Sequence, residues 1–455
     1  MGFYKELKKP VTVFTICLLA PAFGGILRKS LPGQPVMIDA VPALLLFAVG
    51  THALFSKRKI NGKIVGPLAG WALFQCVFAF LSIQEEILVG ISAFITRICP
   101  MFMAIIAYKY LRNENDLQNA VISSAVLIMI MLPFGVYASI FGNSGLPRIF
   151  APLDIITSIN RDERVGISSF AGVFSSQWLL SISCLAILYL FLTQFFIGKK
   201  SIKQFVWLGI VSASSLAIIY FSTRRGAFLA GLAGIGFVLF KSFFPLKQKT
   251  TKKMRLYIFV GTVATVVIMY FMAKSIDKYT PKEDTNRKQY SRSEWVFSEK
   301  EISVSDRLKR FFIPITFQWV EFTPMGNYLG YGGPEIRAFK ILGYREFLGY
   351  VEVGSAQLVA EMGIAGVLIM PILIIITIIR ISRLAKRSRY KNAIYVQMLF
   401  MAIVFTLYYT KESLILVNVS VGNFYFWAIP GICAAMLKME KDSLKVNAAA
   451  ARQLI

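Results

Sequence analysis

The feature that most constrains this chain is a series of long apolar runs, each long enough to cross a bilayer as a helix. A helix needs about 17–25 apolar residues to span the hydrocarbon core, and it satisfies its own backbone hydrogen bonds there. The sequence therefore predicts an all-α polytopic membrane protein with about twelve transmembrane helices. Their predicted positions are 11–28, 36–55, 64–84, 87–108, 117–142, 169–197, 203–221, 226–244, 254–273, 354–380, 392–410 and 420–437.

The composition favours the same class of protein. Only 16% of the residues are charged and 56% are hydrophobic, whereas globular proteins carry about 25% charged residues. The five cysteines all lie within apolar runs and show no paired spacing. This pattern favours small hydrophobic side chains over a disulfide framework or a metal site.

Lysine and arginine are concentrated in alternate loops. The chain has 50 Lys and Arg against 24 Asp and Glu, which gives a formal net charge of +26. By the positive-inside rule, the basic loops and both termini face the cytoplasm, and the intervening loops face outward. Much of the charge is therefore a topology signal and an attraction for anionic membrane lipid, not a sign of nucleic-acid binding. The basic loops are 57–59, 109–112, 199–200, 247–255 and 380–391.

One long outward loop, residues 274–353, divides the predicted membrane domain. We expect spans one to nine in residues 1–273, spans ten to twelve in residues 354–437, and a cytoplasmic tail in residues 438–455. Apolar residues at helical spacing predict an amphipathic helix over 303–322, lying on the outer membrane–water boundary. A glycine-rich turn follows it. Chemistry that needs a shaped, water-exposed surface is expected in this loop.

Two arginines, Arg224 and Arg225, are candidates for binding a phosphate or diphosphate, and two more lie on the loop helix. Arg224 and Arg225 lie in a tight hairpin between the seventh and eighth spans, which places them at the outer membrane surface. Guanidinium groups bind phosphate oxygens through paired hydrogen bonds, and contact with lipid headgroups is the alternative. Arg307 and Arg310 lie on the loop helix that precedes the turn at Tyr331. For either of these two alone, a solvated helix face is the default.

Two charges lie more than one helical turn inside a predicted span, where charges are costly and usually face a cavity or a partner. Arg97 lies near the middle of the fourth span, and Glu361 lies near the outer end of the tenth. The sequence leaves two roles open for them: an ion pair with each other, or contact with a ligand.

The only histidine, His52, lies at the cytoplasmic end of the second span. Histidine-dependent mechanisms on the outer face are therefore excluded, including a Ser-His-Asp triad and His-ligated zinc. No nucleotide-binding loop or metal-ligand motif is present, so we expect no cofactor and no metal. Glu352 is an outward carboxylate at the apolar boundary, where a raised pKa would suit a general base. The alternative is an interfacial carboxylate with no role.

Several of these motifs occur together in an order known from one family. A Ser-Thr-Arg-Arg-Gly-Ala hairpin opens the eighth span, an Asp-Arg helix leads to Gly330-Tyr331-Gly332, and Gln357-Leu-x-x-Glu361-x-Gly-Ile-x-Gly opens the tenth. In this the chain resembles the O-antigen ligase and polymerase (Wzy/WaaL-like) superfamily of bacterial membrane glycosyltransferases. The specific similarity covers about residues 215–370. Arg164-Val-Gly, followed by paired serines, is a fainter further similarity.

The resemblance implies transfer of a glycan from an undecaprenyl-diphosphate carrier to an acceptor hydroxyl on the outer face of the bacterial inner membrane, without a metal. Arg224 or Arg225, together with Arg307, match the family's diphosphate-binding positions, and Arg310 lies beside them. The residues expected to line the cavity are Arg97, Glu361, Gln357, Arg164 and Tyr331. The implied partners are the carrier-linked glycan, an acceptor saccharide, membrane lipids and a chain-length regulator.

One position departs from the family pattern. Many ligases carry a histidine nine residues before the glutamate that corresponds to Glu361, and this chain has Glu352 there. The departure favours a Wzy-type polymerase, with Glu352 activating the acceptor hydroxyl. A ligase that moves finished polymer onto a lipid A core is the enzyme alternative. A flippase is disfavoured because no inverted repeat is evident and intramembrane charges are few.

Overall fold

The computed structural model describes fourteen stretches of the chain, and the regular elements within them are all helices, with no strand. The ninth predicted span, 254–273, and most of the loop 274–353 lie outside them. The described residues are 10–30, 40–55, 62–85, 87–141, 145–150, 170–174, 176–197, 202–222, 224–243, 313–326, 329–330, 353–411, 414–417 and 419–453.

The helices follow the predicted apolar runs closely. In the first half of the chain they are α1 (Pro10–Ser30), α2 (Ala40–Leu54), α3 (Gly62–Glu85), α4 (Ile87–Ala93), α5 (Phe102–Tyr110), α6 (Glu114–Phe141), α7 (Gln177–Gln194), α8 (Ile202–Phe221) and α9 (Arg225–Phe243). In the second half they are α10 (Ile313–Phe322), α11 (Gly354–Ala385), α12 (Lys391–Thr410), α13 (Leu414–Val417) and α14 (Val421–Gln453).

Seven of the described helical segments are long and apolar enough to cross a membrane. They are Pro10–Ser30, Gly62–Gln84, Ile87–Tyr110, Glu114–Phe141, Gln177–Gln194, Gly354–Ala385 and Lys391–Thr410. Three predicted spans contain shorter apolar helices: Ala40–Leu54, Gly209–Phe221 and Gly226–Lys241. The last predicted span falls within α14, whose first half is buried. The fold is consistent with a multi-pass helical membrane protein, whereas the count of twelve spans and their orientation stay predictions.

Helix α7 is the central helix of the described bundle. All of its residues are buried, and α6, α8, α9, α12 and α14 pack around it. Near its end, the Gln397 amide donates a hydrogen bond to the Thr193 hydroxyl at 2.5 Å, and the Tyr425 hydroxyl donates to Gln397 Oε1 at 2.7 Å. Interhelical hydrogen bonds of this kind stabilise helix packing where lipid supplies no hydrophobic driving force. Helices α7, α12 and α14 are held together there.

The sixth predicted span was placed too early in the chain. It was predicted to begin at residue 169, but α7 begins at Gln177. Ser176 is the N-cap, and its hydroxyl accepts a hydrogen bond from the Leu179 N–H at 3.4 Å. Just before it, Gly172 has φ +58°, which breaks any helix, and its carbonyl accepts a hydrogen bond from the Lys29 ammonium at 2.6 Å. An apolar run does not reveal this turn because the turn residues are themselves apolar.

Several helix ends meet at one end of the bundle, which we call the Arg224 end. The Phe170 N–H donates to the carbonyl of Phe221, the last residue of α8, at 3.3 Å. A Cβ on Gly226, in the first turn of α9, would lie 3.1 Å from the Leu407 side chain near the end of α12. Gly354, the first residue of α11, packs directly on the backbone carbonyl of Tyr408. The starts of α7, α9 and α11 and the ends of α8 and α12 are therefore neighbours.

A polar cluster ties three helices together at the other end. Arg389 forms an ion pair with Glu114 at 3.0 Å, and the Tyr390 hydroxyl donates to the same carboxylate at 2.5 Å. The Arg389 N–H donates to Glu440 in α14 at 2.8 Å. Burial, followed by the hydrogen bond and charge of Glu114, raises the pKa of Tyr390 to about 12.

Candidate functional site

Arg224 is held in a fixed orientation at the Arg224 end of the bundle. Its Nη2 donates a hydrogen bond to Gln177 Oε1 at 2.9 Å, and its guanidinium carbon lies 4.7 Å from the centroid of the Trp178 ring. The side chain is partly exposed. Arg225 is the first residue of α9, and its side chain lies outside the described part of the structure. Of the predicted arginine pair, Arg224 is therefore the one with defined contacts.

The hairpin before Arg224 is anchored to α7 from inside the bundle. Ser222 follows the last residue of α8, and its N–H donates a hydrogen bond to the Ile218 carbonyl at 3.0 Å. Its buried hydroxyl lies 2.5 Å from the hydroxyl of Ser181, one helical turn beyond Gln177. Because Ser181 and Gln177 lie on the same face of α7, this contact places Arg224 beside the start of α7.

Lys411 completes this group, and the sequence reasoning missed it. Its ammonium lies 5.5 Å from the centroid of the same Trp178 ring that contacts Arg224. One signal could have found it: Lys411 follows the eleventh predicted span on its outward side, against the positive-inside trend. We call Arg224, Gln177, Trp178 and Lys411 the Arg224 group.

Arg97 and Glu361 form a buried ion pair. Arg97 Nη1 donates to Glu361 Oε2 at 2.9 Å, and Nη2 donates to Oε1 at 2.7 Å. The two side chains are 2% and 0% exposed. The fully buried Gln357 donates a third hydrogen bond, from Nε2 to Glu361 Oε1 at 3.0 Å. Of the two roles that the sequence left open, the ion pair is the one that the geometry provides.

The backbone around Arg97 departs from α-helical geometry. Phe94–Ile98 form a π-helix and Cys99–Met101 a 3-10 helix, between α4 and α5. Pro100 has no N–H and cannot continue the α-helical hydrogen-bond ladder. Single π-turns inside helices occur frequently at functional sites. This local change of pitch places the Arg97 side chain towards Glu361 in α11.

Helix α11 bends two residues after Glu361. Gly363 has φ +65° and ψ −161°, a conformation that suits glycine alone. The Ile364 N–H leaves the helical ladder and donates to the Pro324 carbonyl at 3.0 Å. A Cβ on Gly326 would lie 2.5 Å from the Gly363 nitrogen. The turn after α10 therefore packs into the bend, next to the ion pair.

Leu329 and Gly330, which follow in the chain, contact the two helices that precede Arg97. The Ser82 hydroxyl donates to the Leu329 carbonyl at 2.7 Å, and a Cβ on Gly330 would lie 2.9 Å from Val89. The predicted loop helix is described only from Ile313 onward, and Thr316 on it lies 2.8 Å from Ser355, hydroxyl to hydroxyl. Part of the long loop is thus packed on α3, α4 and α11.

The two groups lie at neighbouring places in the bundle. Gly354, which begins the helix of Glu361, packs against Tyr408, less than one turn before Lys411. The short helix α13 contacts both α7 and the π-helix of Arg97. The helices that carry the Arg224 group are therefore in contact with those that carry the Arg97–Glu361 pair.

The other predicted site residues lie outside the described ranges. They are Glu352, Arg307, Arg310, Arg164 and Tyr331. Within the described ranges, no three His, Cys, Asp or Glu side chains are grouped as metal ligands would be. No protein-family model and no curated protein matches the chain.

Proposed function

We propose that this chain is a Wzy-type polysaccharide polymerase of the bacterial inner membrane. It transfers a glycan from undecaprenyl diphosphate to the terminal sugar hydroxyl of a second carrier-linked repeat unit. In this proposal the termini are cytoplasmic, the Arg224 end faces the periplasm, and no metal or cofactor takes part. The partners are the two carrier-linked glycans, membrane lipid and a protein that regulates chain length.

The observation that carries the proposal is the Arg224 group. Two cationic side chains converge on one tryptophan ring where several helix ends meet, and one of them is oriented by the Gln177 carbonyl at 2.9 Å. A lipid-linked diphosphate lies at this depth of a bilayer, with its anionic group at the ends of the membrane helices. Charge-assisted hydrogen bonds from a preorganised guanidinium suit such a group.

The chemistry follows from the leaving group. The acceptor hydroxyl oxygen attacks the anomeric carbon as the bond from that carbon to the diphosphate oxygen breaks, with inversion at the carbon. The hydroxyl proton passes to Glu352, and the carrier diphosphate leaves with the bonding electrons. Negative charge grows on the diphosphate in the transition state, so Arg224 and Arg307 stabilise that state more than the ground state.

Surface glycan on a gel, from cells that lack this protein and from the parent strain, tests the proposal. The expected result is loss of long chains, with single repeats still attached to the normal surface anchor. Long chains that stay on the undecaprenyl carrier would identify a ligase instead. An unchanged glycan pattern would contradict both enzyme functions.

Complementation of those cells tests the arginine directly. Arg224→Ala should fail to restore long chains at unchanged protein levels, because the diphosphate loses its oriented guanidinium. Lys241→Ala is the matched control, since its ammonium also lies over aromatic rings, 5.5 Å from Phe240, near the far end of α9. It should restore full-length chains. Full-length polymer from Arg224→Ala would refute the role of this arginine.

A further inference from the structure

Lys29, in the last turn of α1, is a buried lysine at the Arg224 end of the bundle. The residue is 0% exposed, and its ammonium donates a hydrogen bond to the Gly172 carbonyl at 2.6 Å. A lysine at the end of a membrane helix usually extends its ammonium to the membrane–water interface. Burying an ammonium is costly unless the charge is hydrogen-bonded or paired. The side chain of Lys29 instead turns into the protein and binds one particular backbone carbonyl.

That carbonyl belongs to residues 170–174, which we call the α7 turn because they precede the N-cap of α7. Gly172 has φ +58°, a backbone conformation that breaks a helix and favours glycine. Gly25 lies four residues before Lys29, on the same face of α1, and a Cβ on Gly25 would collide with the Val173 carbonyl oxygen. Two successive turns of α1 are therefore packed against the backbone of the α7 turn, and Lys29 forms a hydrogen bond to it.

The α7 turn is connected to both parts of the Arg224 group. At its first residue, the Phe170 N–H donates to the Phe221 carbonyl at 3.3 Å, and Phe221 lies three residues before Arg224. Beyond its last residue, α7 begins at Gln177, which accepts the hydrogen bond from Arg224 at 2.9 Å. A displacement of the α7 turn would therefore move both the hairpin that carries the arginine and the side chains that orient its guanidinium.

We propose that Lys29 is a positioning residue for diphosphate binding. By holding the α7 turn, it keeps the start of α7 where Gln177 and Trp178 orient Arg224. This inference rests on the proposed function, because that function supplies the diphosphate. Lys29 acts through Arg224 and does not contact the ligand, since the lysine is fully buried. The alternative is that Lys29 stabilises the fold without affecting Arg224.

The test is a double-mutant cycle between Lys29 and Arg224. The measured quantity is the affinity of purified full-length protein in detergent for farnesyl diphosphate, a short prenyl diphosphate. Lys29→Met replaces the ammonium with an apolar group and should raise the Kd roughly tenfold, which corresponds to the loss of about one net hydrogen bond. In Arg224→Ala protein the same substitution should leave the Kd unchanged, because the guanidinium that Lys29 positions is already absent.

Further variants separate positioning from general damage to α1. Lys29→Gln keeps N–H donors without the charge and should raise the Kd less than Lys29→Met. Thr15→Val is the matched control, since it removes a buried hydrogen bond from the same helix, that of the Thr15 hydroxyl to the Val11 carbonyl at 2.9 Å. It should leave the Kd unchanged. Farnesol, which lacks the diphosphate, should bind equally to every variant.

Amide hydrogen exchange measures the anchoring of the α7 turn without any ligand. Exchange in a peptide that covers residues 170–180 should be faster in Lys29→Met than in the wild type, because the turn loses its contact with α1. Thr15→Val should exchange like the wild type in this peptide. Unchanged exchange in Lys29→Met would show that Lys29 does not hold the turn, and it would overturn the inference.

The binding outcomes separate this inference from the proposed function. If Arg224→Ala weakens binding and Lys29→Met does not, Lys29 has a structural role alone and the inference fails, while the polymerase proposal stands. An equal rise in Kd from Lys29→Met with and without Arg224 would also overturn it, since Lys29 would then act independently of the arginine. If Arg224→Ala leaves the Kd unchanged, the diphosphate role of Arg224 fails and the inference fails with it. The expected coupling together with normal glycan in cells lacking the protein would support the inference and refute the polymerase.

Discussion

Removing one partner of the Arg97–Glu361 pair tests what this buried contact does. The carboxylate accepts hydrogen bonds from Arg97 at 2.9 and 2.7 Å and from Gln357 at 3.0 Å. Arg97→Met leaves a buried carboxylate, and Glu361→Met leaves a buried guanidinium. An uncompensated charge of this kind costs about 3–5 kcal/mol. Each single variant should therefore unfold at a clearly lower temperature or denaturant concentration than the wild type.

The double variant gives the opposite expectation. With both charges replaced by methionine, the desolvation penalty of the pair disappears, and the Gln357 amide loses its acceptor. An unsatisfied buried amide costs about 1–3 kcal/mol. The double variant should therefore be more stable than either single variant. Their free energies of unfolding should not add, because the two residues are in direct contact.

The assay is denaturation of the four purified proteins in one detergent, followed by the glycan gel from cells that express each of them. Single variants as stable as the wild type would refute the buried charge pair. A double variant less stable than both single variants would refute the expected coupling. Long chains from the double variant would assign the pair a structural role. Loss of long chains from a stable double variant would instead indicate that the Arg97–Glu361 pair contacts the substrate, which is the other role that the sequence left open.

Two further predictions concern the fold. Gly363→Ala should lower the melting temperature by an amount equivalent to about 1–3 kcal/mol or more, because φ is +65° and the new Cβ would collide with the Pro324 carbonyl. Gly66→Ala, where a Cβ meets nothing within 4 Å, should stabilise its helix slightly. An equal fall in melting temperature for both variants would contradict the positive φ of Gly363. The raised pKa of Tyr390 implies that its stabilising contribution is complete below pH 10, its ordinary value, and is lost as the pH rises to about 12. Tyr390→Phe should flatten melting temperature against pH over this window, and an unchanged alkaline slope would show that other groups control it.

Hydropathy predicted most of the described helices to within a few residues. The tenth span was placed at 354–380, and α11 is Gly354–Ala385. Hydropathy failed where the chain turns inside an apolar run, as it does before α7. The N-cap at Ser176 and the turn at Gly172 do not change the mean hydropathy of the surrounding apolar residues. The π-helix of Phe94–Ile98 was likewise unpredictable, because hydropathy does not report hydrogen-bond pitch.

Some of the site residues could likewise be predicted from the sequence, and others could not. Arg97 and Glu361 could be found because charges inside apolar runs require a partner or a cavity, and even the pairing could be suggested. Arg224 could be found as an arginine between two spans. Lys411 could not be joined to it, because both contact Trp178, which is far from each of them in sequence. The Arg224 group is formed by contacts between helices, and no local sequence pattern predicts such contacts.

The bend at Gly363 shows the same dependence on distant contacts. Its positive φ is required because the Pro324 carbonyl takes the place of a helical acceptor for Ile364. A glycine in an apolar helix is common in membrane proteins and does not by itself predict a bend. The packing of the loop turn against α11 is therefore a finding of the structure, not of the sequence.

The most direct test of the central claim is turnover by the purified full-length protein in detergent, supplied with a single undecaprenyl-diphosphate-linked repeat unit. A polymerase should convert it into a ladder of carrier-linked oligomers with release of undecaprenyl diphosphate, without added metal, and the Arg224→Ala variant should not. A transporter has no second compartment in detergent and would leave the substrate unchanged. Substrate recovered intact after incubation with folded wild-type protein would contradict the account.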